Sequence, residues 1–412
     1  MKDYSLAPIP YALSNGQSVA LFPDASLEYV KIDFTFDAGT VRQAKPLVAT
    51  TTNALIPEGT LHRSAEEIAE FLDFRGIILD KNPDTFGASL SVYMLRKYAD
   101  ETLSLLYEML TEPAFAQREF DVVLAKKRSK LMANLQKTRY VARNCFYETI
   151  FGKEHPLGRW ACEEDFSHIT LDDTKAFFRN HYLLSQADIV ISGGYDEALL
   201  KRFDEVFGRA PKRLSTQAPL RLSAQAPKCL SVHHPMPGTV QSTIRVGSLL
   251  PWAWDSMDYA RFMILNTVLG GYFGSRLMSN IREDKGYTYG IFSQTLLQRG
   301  GILFWLSAEV GSEVTQPALA EVYKELDRLC QEPVSEEELE RVKHYMEGDF
   351  LRSIDGIFER SERYRQMRLN GFTEQFTTNY FEALRSTTPQ DLLPLAQQVF
   401  PRERLVEVVV GA

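Results

Sequence analysis

Two hydrogen-bond donors, Arg282 and Tyr289, lie on either side of Gly286 within residues 269–293. Ser275 is a residue type preferred at helix starts, and apolar residues of helical spacing follow it at Leu277, Met278 and Ile281. Gly286 is a natural helix stop, and the residues after it alternate as in a strand. The pattern therefore predicts a sharp helix-to-strand turn that holds a permanent cation near a phenol.

The spacing of these donors also fits a purely structural interpretation. In that case Arg282 pairs with a nearby carboxylate and Tyr289 belongs to the core. Three glycines, Gly270, Gly271 and Gly274, precede Ser275. They do not form a nucleotide site of a known type, because the Lys-Ser/Thr of a P-loop does not follow them and the G-x-G-x-x-G order is absent. We expect the glycines to allow close backbone packing, or the approach of a peptide, beside the Arg282 helix.

Composition limits the classes of protein to consider. The chain has 412 residues, of which 44% are hydrophobic and 24% charged, so two or three globular domains are expected. A net charge of −8 argues against a nucleic-acid surface. No apolar run reaches the length of a membrane span, and the first residues lack the apolar core of a signal peptide. Four widely spaced cysteines favour a reduced protein, so a cytoplasmic location is predicted.

The two halves of the chain repeat one order of elements. A half-buried strand is predicted where Val30, Ile32, Phe34 and Phe36 alternate with Lys31, Asp33, Thr35 and Asp37. Ser64 and Glu67 form a capping-box pattern for the next helix, and Gly76 is placed to stop it. The second half repeats this order at Ser275 and Gly286. We therefore predict domains at 1–210 and 229–412, with a Pro/Ser/Gln-rich linker at 211–228.

Several short motifs, taken in this order, resemble the pitrilysin–insulinase (inverzincin) metallopeptidases, in their short two-domain bacterial type. The motifs, together with residues 269–293, are Leu13-Ser-Asn-Gly16, Ala38-Gly39-Thr40, Gly59-Thr60, His155-Pro156-Leu-Gly158 and Glu338-Leu-Glu-Arg-Val-Lys343. The resemblance implies an α+β fold of two duplicated domains. Each would be a largely antiparallel sheet with helices packed on one face, and the whole would form half of a clamshell.

The resemblance also shows what this chain lacks. Active family members carry His-x-x-Glu-His on a helix before a Gly-Thr, and here those positions hold Thr50, Asn53 and Ala54. The family's third ligand, a glutamate, is expected within residues 126–132, where lysines and an arginine stand instead. No two of the seven histidines are three or four residues apart. The sequence therefore predicts no intrinsic metal and no cofactor in this chain.

In this family an Arg and a Tyr at this spacing hold the carbonyl of the peptide bond being cut. The resemblance thus implies a zinc-free subunit that supplies Arg282 and Tyr289 in trans, with Gly270, Gly271 and Gly274 beside the substrate. Its partner would be a homologous, zinc-bearing subunit, and the pair would cleave peptides. One alternative is an inactive scaffold or binding homologue. Another is an autonomous hydrolase, which has no Gly-x-Ser-x-Gly motif to support it.

Overall fold

The computed structural model describes residues 6–210, 230–298 and 301–412. Strands and helices follow one another in both halves of the chain. The strands are β1 (Ile9–Ala12), β2 (Ser18–Pro23), β3 (Tyr29–Phe36), β4 (Ile78–Pro83), β5 (Ala88–Leu95), β6 (Asp188–Gly193), β7 (Ser231–Pro235), β8 (Gln241–Leu250), β9 (Thr288–Gln298), β10 (Gly301–Gly311) and β11 (Val406–Gly411).

Helices make up most of the rest, and two segments with wide, π-helical turns lie at Thr267–Gly271 and Met278–Asp284. None of the helices in the described ranges combines the length and the apolar character needed to cross a bilayer. The helices are α1 (Val48–Leu55), α2 (Ala65–Arg75), α3 (Ala99–Thr111), α4 (Gln117–Leu135), α5 (Thr138–Phe151), α6 (Asp165–His168), α7 (Leu171–His181), α8 (Glu197–Phe207), α9 (Met257–Asn266), α10 (Thr315–Gln331), α11 (Glu336–Arg352), α12 (Ile357–Asn370), α13 (Glu374–Ser386) and α14 (Pro389–Val399).

The strands form two sheets, in the orders β1-β2-β6-β3-β5-β4 and β7-β11-β8-β10-β9. Each sheet contains one parallel pair, β2 with β6 and β7 with β11, and its other neighbours are antiparallel. From β2 onward the second sheet repeats the first strand by strand, which confirms the predicted α+β fold and its duplication. As a result, β4 and β9 occupy equivalent edges of the two sheets.

The capping box and the helix stop predicted in the first half of the chain both form. The backbone N–H of Ser64 donates to a Glu67 carboxylate oxygen at 2.7 Å, and the N–H of Glu67 donates to the Ser64 hydroxyl at 3.2 Å. This capping box starts α2. Gly76 ends α2 in the left-handed region, with φ of 62°. The chain then passes directly into β4.

The compact units do not follow the chain halves. Unit 1 contains Met1–Leu131, Ala161–Leu220 and Ser353–Gly371, and unit 2 contains Met132–Trp160, Arg221–Arg352 and Phe372–Ala412. Each half of the chain thus gives one helix to the other unit: α5 belongs to unit 2 and α12 to unit 1. The predicted linker at 211–228 lies outside the described residues, so the domain boundaries drawn there stay a prediction.

Strand β3 shows what the donated helix α12 does. Its apolar residues enter the main core of unit 1, where Phe34 packs on Phe207 of α8 with ring centroids 5.0 Å apart. On the opposite face Lys31 and Asp33 are also buried, at 2% and 0% exposed. The prediction of a half-buried strand is therefore wrong. The cause is α12, which covers this second face of the sheet and comes from a distant part of the chain.

A polar network joins α12 to β3. The Lys31 ammonium lies 3.1 Å from both Asp33 and Glu362, and the Ser91 hydroxyl donates to Asp33 at 2.5 Å. Arg365 donates two hydrogen bonds to the Glu362 carboxylate. Burial raises the pKa of Asp33. Burial alone would also raise the pKa of Glu362, but Arg365 and Lys31 outweigh it and lower that pKa to about 2. The network thus satisfies charges that the fold removes from water.

Replacing Glu362 with Gln tests this network. At pH 7 the variant Glu362→Gln should lose about 1–2 kcal/mol of unfolding free energy, because charged hydrogen bonds are lost but Glu362 is 40% exposed and screened. A lowered folded-state pKa stabilises above the unfolded value, about 4.3, and this contribution is lost as the pH falls toward about 2. Urea unfolding at several pH values should show the difference from wild type shrinking across that interval.

The matched control is Glu359→Gln on the exposed side of α12. It should leave the urea midpoint within a few tenths of a kcal/mol of wild type. If both variants unfold alike at pH 7, the network does not contribute as described.

Candidate functional site

The predicted helix–turn–strand segment forms, with one difference at its start. Leu277, Met278 and Ile281 are buried on one side, as the apolar spacing indicated. The N–H of Ser279 bonds the Ser275 carbonyl at 2.9 Å, so the helix begins directly after Ser275. The Ser275 hydroxyl, however, is buried and has no hydrogen-bond partner among the described residues. Ser275 stands at the helix start but does not cap it through its side chain.

The helix widens before it ends. Within Met278–Asp284 the turns are π-helical, and the Lys285 N–H bonds the Asn280 carbonyl at 3.0 Å. Gly286 then adopts the left-handed region with φ of 66°, and the Tyr287 N–H bonds the Ile281 carbonyl at 3.0 Å. The predicted stop at Gly286 is confirmed. Wide turns of this type are frequent at functional sites, because they shift side chains out of the regular helical order.

Two polar anchors hold this helix against its neighbours. Near its start Arg276 donates to both oxygens of Glu338 on α11, at 3.0 and 2.8 Å. Further along, the Asn280 amide donates to Glu321 at 2.9 Å and to Glu325 at 2.7 Å, both on α10. The hydrogen bond from Asn280 lowers the pKa of Glu321. These contacts fix the backbone that carries Arg282.

A bulge at the start of β9 directs Tyr289 outward. Thr288 pairs with Val310 and Ile291 with Ala308, so two residues of β9 face one residue of β10. The Thr288 hydroxyl donates to the Glu309 carbonyl at 2.7 Å and accepts the Gly290 N–H at 3.1 Å. The bulge therefore rests on two hydrogen bonds of one side chain.

Neither Arg282 nor Tyr289 forms a hydrogen bond or ion pair within the described residues. Arg282 is half-buried with its guanidinium 4.5 Å from the Phe273 ring centroid, and it forms no hydrogen bond or ion pair with any described residue. Tyr289 is 95% exposed, and its hydroxyl has no partner in the described ranges. The structural interpretation, a paired arginine and a core tyrosine, is therefore wrong. The segment thus presents two donors, on adjoining elements, that have no hydrogen-bond partner in the described part of the chain.

The predicted substrate-side glycines differ among themselves. A Cβ on Gly270 would lie 2.7 Å from the backbone nitrogen and the hydroxyl of Ser293, so Gly270 is buried against β9. Gly271 and Gly274 are exposed. A Cβ on Gly271 would meet the Thr267 side chain, and a Cβ on Gly274 would meet the Tyr272 ring. At Gly270 the geometry is that of close packing. Contact of these glycines with a peptide stays a prediction.

The residues at the family's zinc-motif positions do not fit a metal. Thr50, Asn53 and Ala54 lie on α1, where the Thr50 hydroxyl donates to the Leu47 carbonyl at 3.2 Å. Asn53 is 1% exposed and its amide donates to the Tyr182 hydroxyl at 3.2 Å. Burial raises the pKa of Tyr182, so its phenol stays protonated. As metal ligands, Thr50 and Asn53 offer only weak, neutral side-chain atoms, and Ala54 offers none.

The expected place of the third ligand is cationic. Lys127 lies on α4, and burial, with Lys130 and Lys81 nearby, lowers its pKa to about 8. Within residues 6–210, 230–298 and 301–412, no three His, Cys, Asp or Glu side chains group so that they could hold a metal ion. The described residues therefore disagree with a metal site of the family's type.

Comparison with known proteins finds similarity to one family of peptidases and their inactive homologues. Residues 168–346 match the family model described as the peptidase M16 inactive domain. The non-peptidase homolog YmxG of Helicobacter pylori is 24% identical over 71% of this chain and 68% of its own length. The uncharacterized zinc protease YmxG of Bacillus subtilis is 20% identical over 97% of each chain. The chain is a homologue of the M16 family.

A solved structure shows how far the fold of this M16 homologue is shared. The crystal structure of a peptidase M16 inactive domain from Pseudomonas fluorescens superposes with a TM-score of 0.86 over 98% of both chains. Sequence identity between the two is 20%, so this likeness supports the fold alone. The names of the two YmxG relatives differ on catalysis, one being a non-peptidase and the other a zinc protease.

The close packing at Gly270 can be tested by adding a methyl group. Gly270→Ala should lower the unfolding free energy by about 1–3 kcal/mol, because the new Cβ forces β9 or the preceding segment to move. In the control Gly348→Ala, on α11, the Cβ meets nothing within 4 Å, so the helix should gain up to about 1 kcal/mol. Equal shifts of the denaturant midpoint in the two variants would rule out the packing role.

Metal removal tests the absence of an intrinsic site. The purified chain, incubated with excess zinc and then desalted, should retain only substoichiometric zinc by elemental analysis. Exhaustive chelation should leave its thermal midpoint unchanged, because binding to the folded state would otherwise raise that midpoint. One tightly bound zinc per chain, together with a midpoint that falls on chelation, would contradict the conclusion drawn from Thr50, Asn53 and Ala54.

Proposed function

We propose that this chain is the non-catalytic, substrate-binding subunit of a heterodimeric zinc metalloendopeptidase. One observation carries the proposal: Arg282 and Tyr289 are presented by a rigid segment, yet have no hydrogen-bond partner among the described residues. The described residues also hold no ligand set for a metal. Such a chain can hold a peptide but needs another molecule for hydrolysis. The partner is a homologous subunit that carries His-x-x-Glu-His.

The two donors suit the carbonyl of a scissile peptide. Attack on that carbonyl places negative charge on its oxygen, and fixed donors stabilise this charge. Arg282 contributes a permanent charge with directed N–H groups, and Tyr289 contributes a neutral O–H. Zinc in the partner supplies the activated water. This chain only orients the amide and neutralises the developing charge.

The sheet edges give a peptide a second means of attachment. Strands β4 and β9 each end a sheet, so one side of each backbone has no neighbouring strand among the described residues. An extended peptide that joins such an edge gains main-chain hydrogen bonds largely independent of its sequence. Tyr289 lies at the start of β9, so the phenol and a free edge belong to one strand. This supports a role in holding extended peptides.

A second candidate function is that of an inactive scaffold or binding homologue. The printed name of the Helicobacter pylori relative, a non-peptidase homolog, favours it. The two functions differ in what the partner does alone: a scaffold has a fully active partner, whereas a substrate-binding subunit has an inactive one. The zinc-bearing partner and the cytoplasmic location remain predictions.

Substitution of the two donors tests the primary function. In a complex with the zinc-bearing subunit, Arg282→Ala and Tyr289→Phe should each lower kcat/KM for a fluorogenic peptide by about 10²–10³-fold, because each removes one stabilising donor. Assembly should be unchanged by size-exclusion chromatography, because neither side chain forms a hydrogen bond or ion pair within the described residues.

Two surface variants serve as controls. Lys285→Ala removes an exposed cation from the same turn, and Tyr29→Phe removes a hydroxyl from a phenol that is 54% exposed in unit 1. Both should cleave within about twofold of wild type, because these exposed side chains are not among the donors assigned to the substrate carbonyl. Near-normal cleavage by both donor variants in an intact complex would exclude the proposed role. A partner fully active alone would favour the scaffold.

A further inference from the structure

Unit 2 buries an arginine that has no counter-charge. Arg245 lies on β8 in the interior of the second sheet and is 5% exposed. Its guanidinium stacks 3.8 Å from the Trp305 ring centroid and lies 5.3 Å from that of Phe146 on α5. No described residue forms an ion pair or hydrogen bond with this side chain, and its Nε is buried without a partner. The described residues therefore supply no counter-charge for Arg245 and no acceptor for its buried Nε.

Such a group is expensive to keep in a folded protein. A buried charge normally has a partner of opposite sign, since desolvation of an ion costs several kcal/mol. The two aromatic rings stabilise the faces of the guanidinium, but its N–H donors lie at the edge, and the buried Nε has no acceptor among the described residues. Arg143 on α5 adds a second positive charge nearby. Burial lowers the pKa of Arg245 to about 10, so it stays charged at neutral pH.

The surface around Arg245 continues to the free edge of the sheet. Arg245 pairs across strands with Ser307, which pairs with Phe292 of β9, so the three residues lie on one face. Trp305 packs edge-on against Phe292 at 5.4 Å. On the same face of β9, Gln294 is exposed and Phe292 and Leu296 are 44% and 39% exposed. Apolar side chains thus extend from the arginine to the edge strand.

We infer that this face, the Arg245 surface, binds an extended peptide through an acidic side chain flanked by apolar residues. It is formed by Arg143, Arg245, Phe292, Gln294, Leu296 and Trp305. The carboxylate supplies the acceptors that Arg245 lacks, and the neighbouring aromatic and aliphatic residues cover Phe292 and Leu296. The inference rests on the proposed function for its biological use, since it names acidic peptides as the substrate class. The binding itself needs neither zinc nor a partner.

The test uses this chain alone and two fluorescein-labelled peptides, Ala-Val-Leu-Glu-Phe-Val-Ala and the same peptide with Gln in place of Glu. Fluorescence anisotropy should show at least about tenfold tighter binding of the Glu peptide, as expected for a charge-assisted pair. Arg245→Gln should abolish this preference, and Arg245→Lys should retain part of it. Arg385→Gln, which removes an exposed cation on α13 of the same unit, should leave the preference intact.

A surface variant guards against misfolding of the Arg245 variants. Gln294→Glu adds a negative charge at an exposed position and leaves the arginine in place, so it should weaken the Glu peptide several-fold and the Gln peptide little. Equal affinity of wild type for the two peptides, or an unchanged preference in Gln294→Glu, would overturn the inference. Lys285→Ala, which removes an exposed cation outside the Arg245 surface, should bind both peptides normally. Near-normal cleavage by the Arg282→Ala complex, together with an intact preference of this chain for the Glu peptide, would therefore count against the proposed function alone.

Discussion

The turn at Gly286 is the constraint on which the candidate site depends. A positive φ at this residue lets the Tyr287 N–H close back onto the Ile281 carbonyl, so helix and strand join without intervening loop. A residue with a side chain would be strained there although space is open around it. Because the connection is so short, the positions of Arg282 and Tyr289 are set by backbone geometry and not by the flexibility of a loop.

The duplicated fold allows the residues around Gly286 to be compared with those at the same offsets from Gly76. Unit 1 contains a similar helix–glycine–strand connection, from α2 through Gly76 into β4, although α2 has no π-helical turns. At the offsets where unit 2 has Arg282 and Tyr289, unit 1 has Leu72 and Leu79, which pack against its core. The two positions thus hold apolar core residues in unit 1, but in unit 2 they hold donors without a hydrogen-bond partner among the described residues. Since the backbone does not demand those donors, they point to a role outside the fold.

Sequence patterns predicted the features that depend on neighbours in the chain. The capping box at Ser64 and the stop at Gly286 involve bonds within a few residues, and both formed. The patterns failed where distant segments decide the outcome. Lys31 looked solvent-exposed because its partner Glu362 lies on α12, far along the chain. The bulge beside Tyr289 and the burial of Arg245 arise from cross-strand register, and no local spacing encodes that register.

The exchange of α5 and α12 between the units has a consequence for biosynthesis. The first sheet acquires all its strands early, yet the helix that covers its polar face leaves the ribosome only after most of the second sheet. Until then, Lys31 and Asp33 face water on a nascent intermediate with an open side. Neither unit is therefore complete in sequence before translation has passed α12. A protease that nicks the chain between its halves would release fragments that each lack a native element.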